Sequence, residues 1–150
     1  MSAPSDQDLS RREEMSISGE VMSGAPWGSA AVTGGVVAAA DLGLHVIGGT
    51  LGVAALSGSA ALGAAVFLVV AAAGALWRAK SSRAARWARS NPWRFAVLPA
   101  VAAAAIALVL TIVTGGGFIH GIFSGMWHGG AVFGLTGAIG SVGKSRKQSY

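Results

Sequence analysis

Apolar residues along this chain fall into two long runs flanking a basic segment. Between Val21 and Trp77 the only charged residue is Asp41, and between Phe95 and Gly143 there is none. A membrane-crossing helix needs about 20 apolar residues, so each run has room for two crossings and a short turn. Ser57-Gly58-Ser59 and Gly115-Gly116-Gly117 are the turn candidates, which gives predicted spans at 31–53, 59–77, 95–114 and 118–140. The second and third are the most hydrophobic. The first carries Asp41 and His45, and the fourth carries His120, His128 and many glycines, so these two could instead be re-entrant or interfacial. The expected fold class is all-α: an integral membrane helical bundle of about four transmembrane helices, arranged as two hairpins.

Residues 1–27 are polar, hold five of the six acids and show no sustained periodicity, which predicts a flexible N-terminal tail. Arg11 and Arg12 are followed at once by Glu13 and Glu14, and the apolar stretch begins much later, unlike a secretory or twin-arginine signal. A transmembrane domain is predicted over 28–143, with a basic loop at 78–94 and a basic C-terminal tail at 144–150.

Composition agrees with the pattern. Hydrophobic residues make up 53% of the chain and charged residues 11%, against about 25% charged in an average soluble domain. The absence of cysteine excludes disulfides, thiolate metal sites and cysteine nucleophiles. Ala, Gly, Val and Arg are abundant while Lys is scarce, a bias found in GC-rich bacterial genomes.

The net charge of +5 matters through its placement. Arg78, Lys80, Arg83, Arg86, Arg89 and Arg94 lie between spans two and three; Lys144, Arg146 and Lys147 follow span four; Arg11 and Arg12 precede span one. Basic loops stay in the cytoplasm. Four spans with the N-terminus inside put all 11 basic residues on that side, so a multi-pass protein of the bacterial inner membrane with both termini cytoplasmic is expected. Dropping spans one and four together also satisfies the rule, which makes a two-span chain the topological rival. Trp27, Trp77, Trp87 and Trp93 fall near span ends, where amphipathic rings favour the interface.

The fourth segment holds the densest pattern. Gly117, Gly121, Gly125 and Gly129 recur every four residues, a small-residue stripe that lets helix backbones approach closely. His120, Ser124 and His128 precede the last three of these glycines. At about 100° per residue the two imidazoles stand about 80° apart. The segment reads either as a tightly packed helix within one bundle, as a glycine zipper between copies, or as the lining of a pore.

Asp41 and His45 share a face near the middle of span one. A central Asp costs about 2.5–3.5 kcal/mol to insert, which makes it a functional candidate. The pair could be a packing hydrogen bond, a proton relay, or a metal site completed by His120 or His128. In the basic loop, Arg83, Arg86 and Arg89 recur every three residues, as in a short interfacial helix on anionic lipid. With Trp87 and Trp93 interleaved, the same stretch could contact DNA or a partner protein. Asn91-Pro92 would end that helix, and Pro99 falls in the first turns of span three.

No Walker loop, Gly-x-Ser-x-Gly elbow or His-Glu-x-x-His is present, so neither enzymatic activity, catalytic residues nor a cofactor is expected. Paired apolar runs around RAKSSRAARWARSNPWR, in an Ala/Gly/Val-rich chain, resemble the small membrane spread proteins of actinobacterial conjugative plasmids. The resemblance lies in composition and layout over residues 28–147. It implies a part in moving plasmid DNA between mycelial compartments and assigns no functional residue. The leading expectation is a self-associating accessory subunit of a transfer or transport machine. Its expected partners are membrane lipids, its own copies or a membrane complex, with DNA contact open. A holin-like or channel-forming protein and a small proton- or metal-coupled transporter are the alternatives.

Overall fold

A computed structural model describes residues 10–78 and 83–145. Among them are six helices and no strand: α1 (Arg11–Ser23), α2 (Trp27–Ile47), α3 (Val53–Arg78), α4 (Arg83–Ser90), α5 (Pro92–Val113) and α6 (Phe118–Ser145). Three are long and apolar enough to cross a membrane: α2, α3 and α5. The 26 residues of α3 rise about 39 Å at 1.5 Å each, beyond the roughly 30 Å hydrocarbon core. α6 has 28 residues but is not among the three, because its imidazoles and glycines dilute its apolar character.

α3, α5 and α6 pack against one another, while among the described helices α2 pairs with α3 alone. α2 runs antiparallel to α3, with Pro26 against Gly74 at one end and Gly34 against Gly63 farther along. α5 and α6 are likewise antiparallel, with Gly137 against Trp93 and Gly121 against Leu108 and Ile112. Ala65, Leu68, Ala103 and Val132 form the core where α3, α5 and α6 meet. Large apolar side chains elsewhere point outward: Ile47 is 85% exposed, Val113 78% and Trp127 76%. Such a surface suits lipid rather than water.

The first turn is not where its sequence pattern places it. Ser57-Gly58-Ser59 lies inside α3, with the Ser57 hydroxyl donating to the Ala54 carbonyl at 3.0 Å. A helix satisfies its own backbone, so Ser and Gly persist within it in an apolar setting. The chain turns instead at Gly48-Gly49. Gly49 has φ +66°, and the Gly48 N–H donates to Leu44 O at 2.9 Å. The second turn falls at the predicted triple glycine, where Gly115 and Gly117 have φ of +84° and +78°.

The expected flexible tail is corrected for residues 11–23; residues 1–9 lie outside the described residues. Ser10 and Glu13 form a reciprocal capping box that starts α1. The Ser10 N–H donates to Glu13 Oε2 at 2.8 Å and the Glu13 N–H to Ser10 Oγ at 3.4 Å. Ile17, Val21 and Met22 then bury against Ala71, Ala72, Ala75, Leu76 and Trp87. α1 and α4 thus close one end of the bundle, opposite the two turns.

Candidate functional site

The turn end gathers most of the polar residues of the long helices. Ser59, 2% exposed, donates its hydroxyl to Asp41 Oδ2 at 2.6 Å, tying α2 to α3. His45 Nε2 stands 3.8 Å from the same carboxylate oxygen, and His45 Nδ1 lies 2.9 Å from Thr50 Oγ1. Thr50 and Ser59 therefore join the expected Asp41–His45 pair in one chain, Ser59–Asp41–His45–Thr50. The Thr50 hydroxyl also reaches the His45 carbonyl at 3.3 Å. When the Thr50 hydroxyl donates to that carbonyl, its oxygen accepts from Nδ1–H; when it donates to Nδ1 instead, Nδ1 is the acceptor and Nε2–H faces Asp41. Two tautomers thus correspond to two hydrogen-bond patterns.

A second polar group lies between α3, α5 and α6. A cavity of about 150 Å³ is lined by Ser57, Thr111, Thr114, Gly116, His120 and Ser124, with Ala54 and Gly58. Three of its hydroxyls donate to carbonyls of their own helix: Ser57 to Ala54, Thr111 to Ala107 and Thr114 to Leu110. His128 does not join this cavity; its Nδ1 pairs with the Ser124 carbonyl at 2.8 Å within α6. The expected His120–Ser124–His128 column is therefore split. The metal reading is not met either: among the described residues no three His, Cys, Asp or Glu side chains come together. Asp41 and His45 sit on α2, which meets α3 but not α6.

The glycine stripe is occupied within the chain. A Cβ at Gly125 would come 2.8 Å from the Ala104 carbonyl oxygen, and one at Gly129 3.0 Å from that of Ala100. Gly121 lies equally close to Leu108, whereas a Cβ at Gly117, in the turn, would meet nothing within 4 Å. The repeat seats α6 on α5 and leaves its close-approach surface covered. A second such contact, Gly34 on Gly63, escaped the sequence pattern because each helix contributes one glycine.

At the opposite end, α4 turns Ala84, Ala85, Trp87 and Ala88 inward and exposes Arg83, Arg86 and Arg89. Its apolar face packs on protein, not on lipid, and Trp87 is 2% exposed, which removes it as an interfacial or base-stacking ring. Arg89 Nε and Nη2 donate to the Leu76 carbonyl at 3.2 and 3.1 Å, capping the end of α3. Arg94 Nη1 pairs with Glu14 Oε1 at 2.6 Å. The Glu13 carboxyl is held below its ordinary range by its backbone and side-chain bonds to Ser10; desolvation opposes them, and Arg83 adds the smallest lowering influence. Acidic α1 lies across part of the basic segment; that complementarity was visible in the sequence as five acids upstream of six bases. Arg78 ends α3, and Lys80 lies outside the described residues. Trp27 stacks on Phe67 and Trp93 on Phe133, with centroids 5.6 and 5.4 Å apart.

Compared with protein-family models, curated proteins and solved structures, the chain matches none of them.

Proposed function

We propose that the chain is a non-enzymatic, four-span integral protein of the bacterial inner membrane, acting as an accessory subunit of a transfer or transport machine. Conjugative plasmid spread is the instance its sequence layout favours. The observation that carries the reading is the segregation of charge. Described charged groups other than Asp41 gather with α1, α4 and the helix ends beside them, while both turns are free of Asp, Glu, Lys and Arg. α6 is the fourth span, held to α5 through its glycines, and the charged end faces the cytoplasm. Self-association, in this reading, uses a face other than the glycine stripe.

Because the chain has no cysteine, single cysteines report topology. Leu51→Cys and Phe118→Cys, both exposed beside the turns, should react with an impermeant maleimide on intact cells, and Ser23→Cys and Ser145→Cys only after lysis. Outside labelling at Ser145→Cys would refute the topology. In-membrane crosslinking then tests the role: capture of a translocase or DNA supports an accessory subunit, and self-oligomers alone favour a pore. A proton-coupled transporter is the second reading, favoured by the Ser59–Asp41–His45–Thr50 chain; Asp41→Asn leaving phenotype intact would dismiss it. A pore within one copy has less support, since Ala65, Leu68, Ala103 and Val132 close the core below the polar cavity.

A further inference from the structure

The small residues that join α5 to α6 also shape the outside of that pair. Val97, Ala100, Val101 and Ala104 of α5, with Gly125, Met126, Gly129, Gly130 and Phe133 of α6, line a groove of about 330 Å³. Its walls are almost wholly apolar, and α3 contributes none of them. Val97 and Met126 are 50% and 68% exposed, so the groove opens outward from the bundle. At its basic end Phe133 stacks on Trp93, and Trp93 is also a wall of the next depression. That depression, about 300 Å³, is lined by Ser90, Asn91, Pro92, Trp93, Arg94 and Ser141. A shallow apolar groove on the outer surface of the pair thus lies on one side of the Trp93–Phe133 pair, and a polar depression with a cation on the other.

We infer that this outer face of the α5/α6 pair is a binding site for one anionic phospholipid, with an acyl chain in the groove and the phosphate at Arg94. The inference rests on the reading that α5 and α6 lie in the bilayer with the charged end at its surface. An acyl tail needs an apolar groove along the helices, and the small residues supply it. A phosphate needs a donor at headgroup depth. Arg94 has five N–H donors and spends one nitrogen on Glu14. Trp93 at the junction has the amphipathic ring favoured at that depth. Neither a peptide nor a nucleic acid needs an almost wholly apolar groove between two apolar helices.

Gly130 makes the inference testable without unfolding the chain. A Cβ there meets nothing within 4 Å, so Gly130→Leu fills the groove rather than clashing with protein. Gly134 is equally open and lies outside the groove, which makes Gly134→Leu the control. The full chain is reconstituted in phosphatidylcholine vesicles containing phosphatidylglycerol, with a photoactivatable diazirine on the acyl chain of one lipid or the other. Labelled residues are then mapped by mass spectrometry. With the phosphatidylglycerol probe, labelling should concentrate on Val97, Val101, Met126 and Phe133 over Val32 and Val36 of α2 by about tenfold, equivalent to about 1.4 kcal/mol. Gly130→Leu should abolish that excess and Gly134→Leu should not. Arg94→Gln should equalise the two lipids. Even labelling of all outward faces, or an excess indifferent to Gly130→Leu or to the headgroup, would overturn the site while leaving the topology intact. Absence of acyl labelling from both α5 and α6 would overturn the site together with the bilayer reading.

Discussion

The two antiparallel helix pairs solve the same problem with different redundancy. α6 lies on α5 through Gly121, Gly125, Gly129, Gly137 and Gly140, which meet α5 along most of its length. α2 lies on α3 through a close crossing of Gly34 and Gly63, the Pro26–Gly74 contact, and the Asp41–Ser59 hydrogen bond. Among the described helices α2 has no other paired neighbour. In lipid, where apolar burial drives no association, close packing and interhelical hydrogen bonds supply cohesion. A pair with many close contacts should tolerate the loss of one, and a pair with few should not.

The largest effect should therefore come from Gly34→Val. A Cβ at this position would stand 2.6 Å from the Gly63 carbonyl oxygen and 2.9 Å from Phe67 Cβ, and both helices must move. Overpacking costs about 1–3 kcal/mol, occasionally more, and here it falls at the main crossing. A cysteine at Ala30, fully buried in α2, should become reactive to maleimide in this variant. Gly125→Val should lose less stability in SDS titration, and a cysteine at Val132 should stay protected because the flanking glycines hold α6 in place. Equal protection of both cysteines would remove the distinction between the pairs.

Next in size is the hydrogen bond that joins α2 to α3. Asp41→Ala leaves the buried Ser59 hydroxyl without its acceptor, at a cost of about 1–3 kcal/mol. Measured interhelical bonds in membranes average nearer 0.6 kcal/mol, so the lower end is expected. Asp41→Asn keeps an acceptor oxygen and should lose less. The measurement is SDS-induced unfolding of both variants, and identical losses would show that the carboxylate charge, not the acceptor, matters.

The apolar core of this layout was legible because hydropathy reports residence in lipid directly: α3 and α5 contain the two most hydrophobic predicted spans. Two misplacements share one cause, the use of turn and tail rules suited to water. Ser57-Gly58-Ser59 resembles a loop where solvent competes for the backbone, whereas in α3 the helix supplies its own partners. Gly48-Gly49, the true turn, was equally visible but lay inside an assumed span. For α1, the Ser10-x-x-Glu13 box and the i, i+4 spacing of Ile17 and Val21 were present in the sequence and outweighed by polarity. The stripe Gly121-Gly125-Gly129 was legible as a surface for close approach, but its occupant depends on which helix returns beside it, and spacing holds no such information. Thr50 joined the Asp41–His45 pair through the misplaced turn, and Ser59 could be recognised only once α2 and α3 were paired.

The smallest effects should arise at the charged end, where water screens the contacts. The Glu14–Arg94 pair joins a partly buried carboxylate to a guanidinium whose side chain is 52% exposed, so Glu14→Gln should cost well under about 1 kcal/mol and matter less at high salt. Glu13 offers a sharper comparison, because its charge works locally through the capping box. Its carboxyl is lowered by Ser10, so its contribution is complete above the ordinary value of 4.5. It is lost as pH falls through the lowered folded-state value. Amide hydrogen exchange in the first turn of α1 should therefore accelerate relative to the peptide rate below that point, while α3 and α5 show no matching change. Glu13→Gln, which keeps a side-chain acceptor for the Ser10 N–H, should abolish the pH dependence and leave the cap largely formed. If the first turn of α1 opens at the same pH in both proteins, the cap owes nothing to the Glu13 charge. The docking of α1 then rests on Ile17, Val21 and Met22 alone.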